Sequence, residues 1–314
     1  MRQSPILVTG APRASTTFLG KMLALPRHVL YVDEPFNNQT GLEGIHETFP
    51  HLSPAVLAAA AEDPYAPIVE GLLKGEARFK PSELRPGTRN PLRQLARELW
   101  VSRENLHYKV NSRSPLKQRF LIKDPMACYL SEYLHRRFGM HTVVIMRHPL
   151  STIASYKRLN WHYDVADLLD RTAHFDEALH QQLAGVEVAA LRDVERWAYM
   201  WLAIYSMLQH FMERNPAMLF VTHEELSQRP HQVLQELYER LGLPFSVPVK
   251  QKITAHTSAK NPTEPTGNQP HVLRRNSAEN MYRWRHILTT EEAAAIQAIT
   301  GEFASRFYPE TSWE

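Results

Sequence analysis

The first thirty-five residues constrain the fold more tightly than any other part of the chain. Ile6-Leu7-Val8 is a short, wholly apolar run of the kind that fills a buried strand. Gly10 to Ser15 follow as turn residues, and Thr16 to Leu25 then place Phe18, Leu19, Met22 and Leu23 on one helical face. Pro26 stops that helix, and Val29-Leu30-Tyr31-Val32 begins a second strand. Strand, loop, helix and strand in this order predict parallel pairing.

The alternation resumes later in the chain. Phe120 to Lys123 and Thr142 to Met146 read as strands, with a helix from Ala127 to Phe138 between them and another from Pro149 to about Arg158. A long helix is predicted from Val188 to Arg214, where Leu191, Val194, Ala198, Trp201, Tyr205, Leu208 and Met212 recur at threes and fours. Met218 to Val221 is a further strand, Pro230 to Leu241 a helix, and Thr290 to about Arg306 the last helix. The segment from Lys250 to Asn280 is rich in Pro, Thr, Asn and charge and reads as irregular loop. The class is therefore α/β, a P-loop-like three-layer fold with a central, mainly parallel sheet flanked by helices.

Residues 37–119 interrupt this pattern. Short helical stretches (Ala55 to Ala61, Leu92 to Trp100) alternate with Pro/Gly turns, and basic residues outnumber acidic ones from Lys74 to Arg119. They read as a mainly helical and loop insertion over the mouth of a site, within a single domain spanning residues 1–314.

Composition narrows the class. With 43% hydrophobic and 22% charged residues the chain is of ordinary globular make-up, and a net charge of +3 favours anionic ligands without pointing to nucleic acid. The sixteen histidines form no HExxH or Cys/His cluster, so no metal site is expected and most should lie at the surface. Cys128 is the only cysteine, which rules out an internal disulfide framework. No run approaches the ~20 apolar residues that cross a bilayer. Ile6 to Val8 is too short for a signal-peptide core, and a cytoplasmic location is expected.

The glycine turn between the first strand and helix is a ready anion site, because first-turn amides lack partners and the helix dipole favours negative charge. Gly10 allows the tight turn, Arg13 adds a cation, and Thr16 and Thr17 add hydroxyls. Against the pattern GxxxxGK[ST], Gly10 fits, but Ser15 stands at the second glycine and Thr16 at the lysine. Without that lysine, hydrolysis of ATP or GTP is disfavoured. The loop alone leaves open an anion site or a plain turn.

GAPRASTTFL resembles the 5′-phosphosulfate loop of sulfotransferases, whose core is often written PRSGTT. Val143 to Tyr156 resembles the same family's 3′-phosphate motif, a strand ending in Arg with a Ser eight residues on, here Arg147 and Ser155. Asp33-Glu34-Pro35-Phe36 is similar to the acidic motif of carbohydrate and tyrosyl-protein sulfotransferases, and Lys123-Asp124-Pro125 to a segment of the latter. Met218 to Leu226 and the Trp284 region fit the family pattern too. Ala14-Ser15 departs from it, standing where Ser-Gly is usual.

This resemblance implies a sulfotransferase of the EC 2.8.2 type that uses 3′-phosphoadenosine 5′-phosphosulfate (PAPS) and releases 3′,5′-adenosine bisphosphate (PAP). It implies Glu34 as catalytic base and Lys123 as stabiliser of the leaving oxygen. Donor-binding positions would be Gly10, Pro12, Arg13, Ala14, Ser15, Thr16, Thr17, Arg147 and Ser155. Arg274 and Arg275 either close over the nucleotide or form a solvated pair. Asp33 competes with Glu34, and strand alternation would put the two carboxylates on opposite faces. Cys128 reads as a buried helix residue, and Trp197, Trp201 and Tyr205 as core packing. The acceptor is hydroxylated: a saccharide, a glycolipid or another small molecule, with the basic insertion suggesting an anionic one and a tyrosyl peptide as alternative. A P-loop kinase and a non-catalytic nucleotide binder are the readings from other classes.

Overall fold

The computed structural model describes residues 3–52, 63–80, 107–172, 175, 177–183, 185–257 and 279–313. Five strands form one sheet: β1 (Ile6–Thr9), β2 (Val29–Asp33), β3 (Arg119–Lys123), β4 (His141–Met146) and β5 (Leu219–Thr222). Their order is β2-β3-β1-β4-β5, and every pairing is parallel. β1 is central, with Leu7 opposite Ile122 on one side and Thr142 on the other. The chain passes from β3 across β1 to β4, so the strand order reverses about β1 and opens a crevice at its carboxyl end.

Helices cover both faces. They are α1 (Thr16–Leu23), α2 (Ala66–Lys74), α3 (Ser131–Phe138), α4 (Pro149–Leu159), α5 (Val165–Thr172), α6 (Glu177–Leu183), α7 (Asp193–Arg214), α8 (His223–Gln228), α9 (Pro230–Arg240), α10 (Val247–Thr257) and α11 (Thr290–Ala304). Strand periodicity assigns the layers. Ile6 and Val8 pack with Leu19, Leu23, Leu234 and Tyr238 from α1 and α9, whereas Leu7 packs on the other face with Leu30, Val69 and Leu130. Toward β4 that second face continues into a cluster centred on α7, with Met146, Trp201, Tyr205 and Phe303. Ile6, Leu7 and Val8 are completely buried, so each contributes about 1.5–3 kcal/mol of hydrophobic stabilisation.

Three expectations change. The helix expected from Ala127 begins as a 3₁₀ turn, Met126–Cys128, and the α-helix starts only at Ser131. The long helix expected from Val188 is divided: Val188–Ala190 is a 3₁₀ turn and α7 starts at Asp193. There the Glu195 carboxylate accepts the Arg192 N–H at 2.9 Å, so Arg192 caps the helix instead of continuing it. The polar segment expected to be irregular from Lys250 begins inside α10, because Val249 and Ile253 reach the same cluster as Val233 and Leu237 of α9. Two side chains one helical turn apart are enough to dock it, whatever the composition around them. At its far end Glu279 and Asn280 open a 3₁₀ helix, Glu279–His286, while residues 258–278 of that segment, and the stretches Ala55 to Ala61 and Leu92 to Trp100, lie outside the described residues.

Candidate active site

The loop after β1 is held in a strained shape by the core beneath it. A Cβ on Gly10 would stand 2.1 Å from the Ile145 carbonyl oxygen, so only glycine lets β1 leave the sheet so close to β4. Arg13 (φ 67°) and Ser15 (φ 77°) are both in the left-handed region, at a cost of about 1–2 kcal/mol each for an L-residue. The strain is offset by hydrogen bonds from buried aromatics. Tyr156 Oη donates to the Pro12 carbonyl at 2.7 Å, and Tyr205 Oη accepts the Ala11 N–H at 3.2 Å while donating to the Ile145 carbonyl at 3.1 Å. Ala14 is fully buried, and its N–H closes the turn onto the Ala11 carbonyl at 3.1 Å. α1 then begins with Ser15 as its N-cap, yet the Ser15 side chain makes no capping bond. Thr16 is buried and Thr17 half-buried at that helix start.

The second group comes from the end of β4. Arg147 Nη1 donates to the Arg13 carbonyl at 3.3 Å, and Arg13 Nε donates to Ser155 Oγ at 3.2 Å. Two guanidinium-bearing residues and a hydroxyl from separate elements are thus in direct contact. Pro149 opens α4, and Ser155 lies two turns along it on the face turned to the loop. The Arg147 carbonyl is fixed by Trp201 Nε1 at 2.9 Å and by Thr152 Oγ1 at 3.3 Å. Beside it, burial and then the Arg147 charge push His148 down to about 3, so its imidazole is neutral at ordinary pH. Glu224 accepts the His148 N–H at 3.1 Å and the Tyr308 phenol at 3.1 Å, and burial raises its carboxyl.

The third group is acidic with one cation at its centre. Lys123 is 1% exposed, and its Nζ lies 2.6 Å from Asp33 Oδ1 and 2.6 Å from Glu34 Oε1. Strand alternation does not separate the two carboxylates, because β2 ends at Asp33 and Glu34 turns to φ 44°. Its N–H still bonds the Lys123 carbonyl at 2.8 Å. Burial alone would lower the Lys123 ammonium, but Glu34 and Asp33 together raise it. Burial works against the Asp33 carboxylate too, yet Lys123 holds it below its ordinary value. Asn37 Nδ2 donates to the other Glu34 oxygen at 3.1 Å. Behind this pair Asp124 is fully buried and accepts the Phe36 N–H at 2.5 Å and the Met126 N–H at 2.8 Å; burial and then Glu34 push its carboxyl up to about 8.

The structure therefore brings Arg13, Arg147 and Ser155 together, and Glu34 with Lys123 at the neighbouring strand ends β2 and β3. Gly10, Pro12, Ala14, Ser15, Thr16 and Thr17 form the loop and helix start between them. Arg274 and Arg275 lie outside the described residues. Cys128 is buried, and burial raises its thiol. Trp197, Trp201 and Tyr205 are core residues, but Trp201 and Tyr205 also tie both loops to α7. Their spacing of four residues on an apolar helix face was the visible signal, and it does not distinguish a packing ring from one whose polar tip holds a loop. Among the described residues no group of three or more His, Cys, Asp or Glu is placed to hold a metal ion, and no helix is long and apolar enough to cross a membrane.

The model of the sulfotransferase family matches residues 5–247 of the chain. No curated protein matches it. Among solved structures, sulfotransferase STF9 from Mycobacterium avium is 15% identical with a TM-score of 0.46, over 98% of this chain and 77% of that one. The mouse sulfotransferase SULT7A1 complexed with PAP is 12% identical with a TM-score of 0.47, over 99% of this chain and 86% of that one. The sulfotransferase domain from the curacin biosynthetic pathway is 14% identical with a TM-score of 0.46, over 97% of this chain and 99% of that one.

Proposed function

The chain belongs to the sulfotransferase family, and on that premise we propose that it transfers a sulfuryl group from PAPS to an acceptor hydroxyl by in-line displacement. The observation that most supports this donor is the direct contact among Arg13, Ser155 and Arg147. It offers two cations and a hydroxyl in one place, as a nucleotide with phosphate at both 3′ and 5′ positions requires.

In this reading the amides at the start of α1, Arg13 and the hydroxyls of Ser15, Thr16 and Thr17 hold the 5′-phosphosulfate, with Gly10, Pro12 and Ala14 shaping the loop. Arg147 and Ser155 hold the 3′-phosphate, and Arg274 and Arg275 are read as closing over the nucleotide. PAPS supplies the sulfuryl group and departs as PAP. Glu34 is the base: its carboxylate takes the acceptor proton as the oxygen–sulfur bond forms, and the electron pair of the breaking sulfur–oxygen bond leaves on the 5′-phosphate. Lys123 and Arg13 offset the charge on that oxygen. Asp33 has a separate role, keeping Lys123 charged while Glu34 changes protonation. These roles are filled by side chains and call for no metal ion. We read residues 1–314 as one domain acting in the cytoplasm, with 37–119 beside the acceptor.

A thermal-shift series with PAP, ATP and GTP tests the donor. PAP is expected to raise the unfolding midpoint most, and stabilisation by ATP without any by PAP would sink the reading. Glu34→Gln is expected to lower sulfated product by about 10²–10⁴-fold while leaving the PAP shift intact. A variant as active as wild type would remove Glu34 from the role of base.

A further inference from the structure

The chain after α11 folds back onto the turn between β4 and α4 and takes no part in the roles above. Phe307 and Tyr308 turn on the Ala304 carbonyl, each donating its N–H at 2.9 Å, and Glu310–Trp313 forms a 3₁₀ turn. Residues 305–313 lie beyond the 5–247 matched by the family model. Their contacts converge on His148, the residue after Arg147.

Arg147 and His148 share one peptide unit, and both of its polar groups are tied. Its carbonyl accepts Trp201 Nε1 at 2.9 Å and Thr152 Oγ1 at 3.3 Å. Its N–H is donated to Glu224 Oε1 at 3.1 Å. The plane cannot turn without breaking one of these bonds, so it fixes where the Arg147 side chain leaves the backbone. Glu224 is in turn held by the returning segment, because buried Tyr308 donates its phenol proton to Glu224 Oε2 at 3.1 Å.

The His148 side chain completes the link. Ser312 Oγ donates its one proton to the Pro309 carbonyl at 2.6 Å, so it accepts His148 Nε2–H at 3.1 Å. That sets the neutral tautomer and leaves Nδ1 buried without a hydrogen-bond partner among the described residues. The Tyr308 and Trp313 rings meet the imidazole edge-on at 4.9 and 4.6 Å. One segment thus grips both the imidazole and the carboxylate that holds the Arg147–His148 peptide.

Resting on the sulfotransferase reading, we propose that Glu224 and Tyr308 are positioning residues for the 3′-phosphate. With Ser312 and Trp313 they clasp the Arg147–His148 peptide and aim the Arg147 guanidinium at that phosphate. A guanidinium aimed in advance gives up less freedom when the phosphate arrives. Discrimination between PAP and 5′-AMP, which lacks the 3′-phosphate, then depends on side chains that act only through Arg147.

Calorimetric titration with PAP and with AMP tests the clasp. Wild type is expected to bind PAP at least about tenfold more tightly than AMP. Tyr308→Phe removes one hydroxyl and keeps the ring on His148; it should weaken PAP binding about tenfold and leave AMP binding unchanged. Arg147→Ala should abolish the preference for PAP, and adding Tyr308→Phe to it should change PAP binding no further. Ser312→Ala, at a half-buried position, should lower the PAP-to-AMP ratio in the same direction and replaces Tyr308→Phe if that variant folds poorly. A wild-type ratio in the variants, equal losses for both nucleotides, a preference that survives Arg147→Ala, or a full Tyr308→Phe effect in the Arg147→Ala background would overturn the proposal. Wild type separates the two levels: binding PAP no better than AMP counts against the donor, whereas a clear preference for PAP with any of those four results counts against the clasp alone.

Discussion

Replacing Ser15 by glycine should make this protein more stable and a poorer binder of PAP. Ser15 stands at φ 77° and ψ 21°, a conformation that costs an L-residue about 1–2 kcal/mol and glycine nothing. Glycine gives back about 0.5–1 kcal/mol through the freedom it loses on folding. The Ser15 hydroxyl makes no capping bond in the folded chain, so its loss subtracts nothing there. The balance is a gain of about 0.5–1 kcal/mol, or roughly 1–1.5 °C in the unfolding midpoint of a chain this size. The proposed role of the hydroxyl as a phosphate ligand predicts the opposite sign in binding, a loss of about tenfold for PAP. Ser15→Ala separates the two effects, since it keeps the strained backbone and removes only the hydroxyl. Urea unfolding without ligand and calorimetric titration with PAP measure both. A Ser15→Gly variant less stable than wild type would refute the claim that the loop is strained at this position. Unchanged PAP binding in both variants would remove the hydroxyl from the list of ligands.

Two further outcomes follow from the buried groups. Tyr205→Phe leaves the Ala11 N–H without its partner, at a cost of about 1–3 kcal/mol in urea unfolding, and should also weaken PAP binding by loosening the loop; an unchanged PAP affinity would mean that the loop keeps its shape without this bond. His148 is depressed from 6.5 to about 3, so as pH falls through 6.5 the unfolded chain takes up a proton that the folded chain refuses. Wild type should therefore lose about 2 kcal/mol relative to His148→Asn between pH 6.5 and pH 5, and denaturation curves that stay parallel over that range would contradict it.

Local features of the site were readable in advance. The run Ile6 to Val8, the turn at Gly10 and the helix from Thr16 express side-chain period and turn chemistry, and the structure keeps them within a residue or two. Arg147 and Ser155 were singled out by the resemblance to the family's motif, and their spacing, a strand end and a position two turns along a helix, is what makes that motif physically consistent. The departure at Ala14-Ser15 was visible too, but its meaning was not. Only the backbone shows that the second of those residues occupies a left-handed position, where glycine would be free of strain.

The sequence by itself determined the parallel α/β frame, the loop after β1 and the likeness that identifies the family. All of these depend on residues near one another along the chain. Tertiary structure decided the rest. It placed Asp33 and Glu34 on a single buried lysine by turning the chain at Glu34, where alternation had separated them. It gave Tyr205 and Trp201 a hold on two loops far from them in sequence, and, among the described residues of the insertion, it committed Lys80, Lys117 and Arg119 to backbone carbonyls. Each is a contact between distant segments, chosen by how layers pack around β1, and neither residue type nor spacing carries that information.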